Sequence, residues 1–310
     1  MIIQTGMRTD IPAFYSPWFF NRIKEGYVLV PNPFNSKMIS KVSLNPAVID
    51  CIVFWTKNPA PMIEKLDKLE DYKYYFQFTL NPYGEKLENN LPSVAKRIDI
   101  FKRLSDKIGR EKVIWRYDPI LTNEEFNVSF HKEAFARIAD GLKDHTEKCM
   151  LGFIDHYQHI RTAVGQFNIK PPAKEEIEEI AVSFRQTMDA YPTLQLDTCT
   201  SKVDLRHLNI PAGLCVDKEL IERITGYPIL AKKDKNQRNI CNCIESIDIG
   251  TYESCLNGCI YCYATPERPD MRTDPASPSL DPLFDSRKIT PEQIIELKAE
   301  SHRAAQMELF

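Results

Sequence analysis

The chain has 310 residues, of which 43% are apolar and 27% are charged, and its net charge at pH 7 is −3. This is the composition of an ordinary globular protein, and it lacks the basic excess that a nucleic-acid-binding face would give. No apolar run approaches the ~18 residues of a membrane-spanning helix, and the N-terminus lacks the basic start and apolar core of a signal peptide. We therefore expect a cytoplasmic protein that contacts neither a membrane nor nucleic acid.

Seven short apolar runs are predicted to form β-strands. They cover residues 2–6, 51–56, 74–80, 113–117, 150–155, 194–198 and 244–250. Amphipathic stretches with helical spacing separate several of them, such as the stretch in which Ile177, Ile180, Phe184 and Met188 share one face. Because strands alternate with helices and several runs are apolar on both faces, the sequence predicts an α/β fold with a parallel sheet.

Polar residues follow nearly every predicted strand. Arg8 and Asp10 follow the first strand, Lys57 follows the second, and Arg116 and Asp118 end the fourth. In a barrel of parallel strands the functional groups gather at the carboxyl ends of the strands. We therefore predict one TIM-like parallel barrel, partial or full, over residues 1–265. Lys57, Arg116 and Asp118 are the candidate catalytic residues, and Arg8 and Asp10 are candidate cofactor contacts.

Two segments fall outside the strand–helix alternation. Residues 27–44 contain two prolines, Pro31 and Pro33, and a β-like run, and we predict an inserted hairpin over the mouth of the barrel. Residues 266–310 are rich in proline near their start, which favours a wrapping tail. This tail is predicted to end in a helix from residue 291 to about residue 307.

The cysteines are concentrated near the end of the barrel segment. Five of the nine lie between residues 241 and 262, and in a reducing compartment such a cluster indicates metal binding or catalysis more often than disulfides. Cys255, Cys259 and Cys262 are separated by three and then by two residues. A loop with this spacing can place three thiolates at three corners of a four-iron four-sulfur cluster. The sequence therefore predicts an iron–sulfur site on these three cysteines.

Other metal sites remain open. Structural zinc normally takes four thiolates, and Cys241 and Cys243 could join two of the three loop cysteines in such a site. A second metal site could include Cys215, Cys241 and Cys243 with a further ligand, or these could be reduced structural thiols. A loop that holds no metal is the remaining alternative. Three more cysteines lie in or beside apolar runs and are interpreted as small buried hydrophobic residues: Cys51, Cys149 and Cys199.

The segment CLNGCIYCYA, at residues 255–264, resembles the cluster loop of the radical S-adenosylmethionine superfamily. The resemblance implies that the iron without a cysteine ligand binds S-adenosylmethionine, and that Tyr261 packs near the adenine. It also implies that reduction of the sulfonium gives a 5′-deoxyadenosyl radical, with an electron donor such as a flavodoxin or ferredoxin. The superfamily places this loop after its first strand and has a Gly-Gly-Glu-like segment that this chain lacks. A barrel of this type would therefore be circularly permuted.

Over nearly its whole length the chain resembles the domain-of-unknown-function family 1848. The segments that carry this resemblance are RTDIPA at 8–13, FWTKNP at 54–59, WRYDPI at 115–120 and the C-terminal cysteine cluster. The resemblance implies a cluster similar to the radical one and implies no substrate.

We therefore predict an iron–sulfur protein, a radical S-adenosylmethionine-like enzyme that acts on a small molecule or other unknown substrate. One alternative is an iron–sulfur protein that transfers electrons or senses redox state without cleaving S-adenosylmethionine. The other is a barrel enzyme with a structural zinc site.

Overall fold

A computed structural model describes residues 1–155, 160–199, 203–238, 240–265 and 273–304. The strands in chain order are β1 (Ile2–Thr5), β2 (Tyr27–Asn32), β3 (Asn35–Ser43), β4 (Cys51–Thr56), β5 (Tyr74–Thr79), β6 (Val113–Ile120), β7 (Lys148–Phe153), β8 (Gln195–Thr198), β9 (Ile247–Asp248) and β10 (Ile294–Glu296). The helices are α1 (Ile11–Phe14), α2 (Ser16–Glu25), α3 (Ala60–Ile63), α4 (Val94–Ile108), α5 (Val128–Leu142), α6 (Arg161–Gln166), α7 (Lys174–Asp189) and α8 (Lys218–Thr225). None of these helices combines the length and the apolar character that crossing a membrane requires.

The main sheet has seven strands in the order β8-β7-β6-β5-β4-β1-β9, and every neighbouring pair is parallel. All seven strands expected from the apolar runs are present in it. Parallel neighbours need a crossover connection, and α4, α5 and α7 supply it between β5 and β6, β6 and β7, and β7 and β8. The predicted α/β fold with a parallel sheet is therefore confirmed.

One face of the main sheet is covered by the crossover helices. Phe78 of β5 stacks on Phe101 of α4 with ring centroids 5.0 Å apart, and Trp115 of β6 stacks on Phe135 of α5 at the same distance. Phe135 in turn stacks on Phe184 of α7 at 3.7 Å. These large aromatic groups bury much apolar area, which ties the helices to the sheet.

The opposite face of the same strands carries a second core near their amino ends. Side chains alternate across a strand, so the residues that point to this face are Ile2, Val53, Tyr75, Ile114 and Met150. They pack against α8 and the neighbouring parts of the segment from 215 to 244. This segment covers the amino-terminal part of the face, and the carboxyl ends of the strands remain to form a cavity.

The predicted hairpin is present, but its predicted position is wrong. Strands β2 and β3 pair in an antiparallel ladder from Tyr27–Ser43 onwards. No residue from 27 to 44 lines the cavity at the carboxyl end of the main sheet. The hairpin instead packs with the C-terminal segment, where the Leu29 amide donates to the Pro278 carbonyl at 2.8 Å.

The predicted terminal helix is also wrong for the described residues up to 304. A single 3₁₀ turn at Pro291–Gln293 leads into β10, which pairs in parallel with Ile39 to Lys41 of β3. The exposed edge of β3 offers unpaired backbone groups, and pairing with them satisfies the backbone of the tail without a helix.

Candidate functional site

A cavity of about 1020 Å³ lies at the carboxyl ends of the main strands. Residues near the carboxyl ends of six of these strands, or directly after them, line the cavity: Gly6, Lys57, Thr79, Asp118, Gly152 and Cys199. Most of the residues singled out from the sequence line it together: Asp10, Lys57, Arg116, Asp118, Cys215, Cys241, Cys243, Cys255, Cys259, Tyr261 and Cys262. Arg8 is not among the lining residues, because it pairs with Asp248 at 3.4 Å and lies over the ring of Tyr252.

The loop with the three spaced cysteines follows β9 and is fastened to the segment after β5. The Asn90 side-chain amide donates to the Leu256 carbonyl at 2.8 Å, and the Ile260 amide donates to the Leu87 carbonyl at 3.1 Å. Gly258 has φ +66°, a left-handed conformation that glycine adopts without strain. The loop is therefore held in place by neighbouring protein groups on the cavity wall.

Asp10 joins three elements at the base of this loop. One carboxylate oxygen accepts from the Lys57 amide at 2.8 Å and from the Asn257 side chain at 2.9 Å. The other oxygen accepts from the Ala13 amide at 3.1 Å, which caps α1. Burial raises the pKa of Asp10, and these donors oppose the rise. The contacts make Asp10 an anchor for the cysteine loop.

A buried ionic network lies beside the loop cysteines and centres on Glu88. Lys57 Nζ lies 2.8 Å from Glu88 Oε1, and an Arg97 guanidinium nitrogen lies 2.9 Å from Glu88 Oε2. The Tyr261 hydroxyl donates to Glu88 and accepts from Lys57 at 2.9 Å and from Asn81 at 3.1 Å. This network fixes both the Lys57 ammonium and the Tyr261 ring.

The network sets the charges near the cysteines. Burial would raise the pKa of Glu88, but Lys57 and Arg97 outweigh burial and lower it. Burial would lower the pKa of Lys57, but the Glu88 carboxylate and Cys259 together outweigh burial and raise it. Burial raises the pKa of Cys255, Cys259 and Cys262, and Lys57 opposes that rise at each of them. Lys57 is thus a fixed cation whose charge acts on all three thiols.

Two buried polar atoms on the cavity wall have no hydrogen-bond partner among the described residues. They are Thr9 Oγ1 and Asn257 Oδ1, and both residues line the cavity. Buried polar atoms are normally satisfied, so such atoms on a cavity wall are suited to a bound ligand.

A second group of thiols lies in the same cavity, and we call Cys199, Cys215, Cys241 and Cys243 the inner thiol group. Cys199 Sγ lies 3.1 Å from Cys215 Sγ, so its interpretation as a lone buried residue is wrong. The Cys215 amide donates to Cys243 Sγ at 3.2 Å, and Cys241 lines the same cavity as the other three. The cysteines interpreted in the same way at positions 51 and 149 do lie in the apolar cores.

Arg116 belongs to the inner thiol group. Its guanidinium donates to Cys215 Sγ at 2.9 Å, forms an ion pair with Asp118, and lies 4.8 Å from the ring centroid of Trp55. Burial would lower the pKa of Arg116, but Cys215 and Asp118 outweigh burial and raise the pKa above its usual value. Both ends of the guanidinium fork are therefore engaged by protein groups.

In the described part of the chain, no group of three or more histidine, cysteine, aspartate or glutamate side chains is arranged to hold a metal ion as it stands. The loop cysteines and the inner thiol group are therefore two sets of neighbouring thiols rather than preformed coordination sites.

Comparison with protein-family models places the chain in a family. The model of a domain of unknown function, DUF1848, matches residues 2–264, which is most of the chain. The chain belongs to the DUF1848 family. Comparisons with curated proteins and with solved structures gave no match.

Three residues of the site in this DUF1848 chain were not found by sequence reasoning. Arg97 had a signal, because it lies three residues after Val94 and four before Phe101, on the face that α4 buries. Glu88 had no such signal in the sequence, since it follows Leu87 in a polar loop, where a glutamate is normally exposed. Cys199 gave only the signal of its position after an apolar run, which indicates burial.

Proposed function

We propose that the protein is an iron–sulfur enzyme whose four-iron four-sulfur cluster is held by Cys255, Cys259 and Cys262 and acts on S-adenosylmethionine. The observation that carries the proposal is that the three thiols line one cavity, in a loop that hydrogen bonds fasten to Asn90 and Asp10. Three thiolates leave one iron for a ligand that enters from the cavity. The donor set therefore fits a cluster of this type, because cysteine thiolates are its usual ligands.

The residues around the thiols have roles in this proposal. When bound, the cluster would supply the electron that cleaves the sulfonium of S-adenosylmethionine. Lys57 would stabilise the thiolates, because its ammonium is fixed next to them. Tyr261 would offer one ring face toward the adenine, since its hydroxyl is held by Glu88. Thr9 Oγ1 and Asn257 Oδ1 are buried, and after a small rotation of their side chains toward the cavity they would accept from amino or hydroxyl groups of the cosubstrate.

The size and lining of the cavity favour an enzyme over an electron carrier. A carrier needs only a cluster near the surface, whereas this cavity of about 1020 Å³ has room for a cosubstrate and a small molecule. The electron would come from a reduced flavodoxin or ferredoxin, and a reducing cytoplasm would suit the free thiols.

We also propose that the main sheet curls into a partial barrel. Loops that follow the edge strand β8 and precede the other edge strand β9 contribute Cys199 and Cys243 to one cavity. A flat sheet of seven strands would hold its edges far apart, because neighbouring strands are separated by about 4.8 Å. Strong curvature would bring the two edges toward each other.

The test of the cluster is iron content after reconstitution without oxygen. We expect a brown protein, and Cys255→Ala, Cys259→Ala and Cys262→Ala should each lose most of the iron and sulfide. Cys149→Ala, which removes a buried thiol outside the cavity, is the matched control and should keep both. Addition of S-adenosylmethionine to the reduced wild type should change its electron paramagnetic resonance spectrum. Iron binding that survives all three loop substitutions would refute the proposed cluster site.

A further inference from the structure

The inner thiol group is built from distant parts of the chain. Cys199 follows the edge strand β8, Cys215 precedes α8, and Cys241 and Cys243 lie before the other edge strand β9. Cys199 Sγ lies 3.1 Å from Cys215 Sγ, and the Cys215 amide donates to Cys243 Sγ at 3.2 Å. All four cysteines line the same cavity.

Nitrogen donors point at two of these sulfurs. Cys243 Sγ accepts from the amides of Cys215 at 3.2 Å and Val216 at 3.4 Å, and Cys215 Sγ accepts from Arg116 at 2.9 Å. Donors directed at sulfur stabilise the thiolate, which is the form that binds metals. Two of the four sulfurs therefore accept hydrogen bonds that favour their deprotonated form.

We propose that Cys199, Cys215, Cys241 and Cys243 bind one zinc ion, separate from the cluster on the loop cysteines. Sulfurs of a tetrahedral zinc site with Zn–S bonds of about 2.3 Å lie about 3.8 Å apart. Cys199 Sγ and Cys215 Sγ, at 3.1 Å, are closer than this, so they would move slightly apart around the ion. Thiolates of a four-iron cluster bind different iron atoms and must stand farther apart. Binding requires loss of the thiol protons and rotation of the side chains toward one point.

The surroundings would offset part of the charge of such a site. Four thiolates and Zn²⁺ carry a net charge of −2, and the buried Arg116 guanidinium already lies against Cys215. Because Cys199 follows β8 and Cys243 precedes β9, the ion would connect the two edges of the main sheet. Its role is therefore structural: it holds the segment from 215 to 244 against the inner face.

The test uses the full chain with the three loop cysteines replaced by alanine, so that it is independent of the proposed cluster. We expect the Cys255→Ala/Cys259→Ala/Cys262→Ala variant, purified in reductant, to hold one equivalent of zinc. Adding Cys199→Ala or Cys243→Ala should lower zinc to a small fraction of one equivalent, whereas adding Cys149→Ala should not. Circular dichroism establishes that each variant is folded. The wild type and its single Cys199→Ala variant, measured for zinc in the same way, give the answer if the triple variant does not fold.

Cobalt serves as the spectroscopic probe of the ligands. Co²⁺ added to the apoprotein should give the visible and near-ultraviolet bands of tetrahedral thiolate coordination, and Cys199→Ala should weaken the thiolate bands. Less than a tenth of an equivalent of zinc with unchanged cobalt spectra would overturn the inference. Loss of two titratable thiols without metal would also overturn it and would indicate a disulfide between Cys199 and Cys215. Either result leaves the iron measurement on the loop cysteines untouched.

Discussion

Glu88 is the residue on which the charged wall of the cavity depends. Its carboxylate is fully buried and lies within 2.9 Å of two cations, Lys57 and Arg97. It also accepts a hydrogen bond from Tyr261. A buried carboxylate that balances two buried cations is costly to remove, because each cation would then lack its counter-charge.

We expect Glu88→Gln to lower the free energy of unfolding by about 3–5 kcal/mol, as removal of one partner of a buried ion pair does. Urea denaturation at pH 7 measures the loss. The matched control is Glu125→Gln, which breaks the exposed ion pair with Lys86 and should have little effect. Equal losses in the two variants would show that Glu88 is an ordinary surface charge.

The sequence predicted which residues line the cavity better than it predicted which residues they contact. Lys57, Asp118 and the loop cysteines could be placed at one end of a parallel sheet, because strand ends and motif spacing are local features. The partner of Lys57 could not, since Glu88 lies 31 residues away in a loop without a regular pattern. The contact of Cys199 with Cys215 also depends on how two distant loops meet.

At the scale of elements, α5 is joined to β6 through a buried histidine. His131 Nδ1 lies 2.9 Å from the Tyr117 hydroxyl, and Nε2 lies 2.8 Å from the Leu121 carbonyl oxygen. The carbonyl requires a proton on Nε2, so Nδ1 is the acceptor for Tyr117 in a neutral ring. Burial lowers the pKa of His131 to about 4, against the opposing effect of the bond to Leu121.

This pKa predicts a pH dependence of stability. The unfolded chain takes up a proton on His131 near pH 6.5, whereas the folded chain does so only near pH 4. The contribution of the neutral ring to stability is therefore complete above pH 6.5 and is lost as the pH falls through about 4. A shift of this size corresponds to a loss on the order of 3 kcal/mol between pH 7 and pH 4. Urea denaturation across this pH range measures the fall in the free energy of unfolding. The fall due to His131 should be absent in His131→Gln and present in His207→Gln, the control at an exposed histidine. The same slope in all three proteins would contradict the assignment.

Elements defined by a local pattern were predicted, and those defined by a distant partner were not. The strands of the main sheet and the apolar face of α7 follow from periodicity within a few residues. The segment after Pro291 was wrongly predicted as a helix because its structure is set by the edge of β3. The hairpin was found, but its position depends on the same C-terminal segment.

At the scale of the molecule, the C-terminal segment is an integral part of the fold, because it contacts three separate parts of the chain. β10 extends the β2–β3 hairpin into a three-stranded sheet. Further on, Asp50 accepts from the Ser301 hydroxyl and from the His302 amide, the latter at 2.8 Å. The Leu230 amide donates to the His302 carbonyl, also at 2.8 Å, which ties the tail to the segment that covers the inner face of the main sheet.

We therefore predict that a chain ending at residue 289 is less stable as a whole. It loses β10 and two of the partners of Asp50, Ser301 and His302. Each of several lost hydrogen bonds contributes roughly 1 kcal/mol, so a total loss of about 3 kcal/mol or more is expected. The exposed edge of β3 should also promote self-association, because an open strand edge is a template for pairing. Urea denaturation and gel filtration measure the two effects, and a chain ending at residue 304 is the control that keeps every contact named here. If the chain ending at 289 unfolds at the same urea concentration as the control, the C-terminal segment does not stabilise the core around the main sheet.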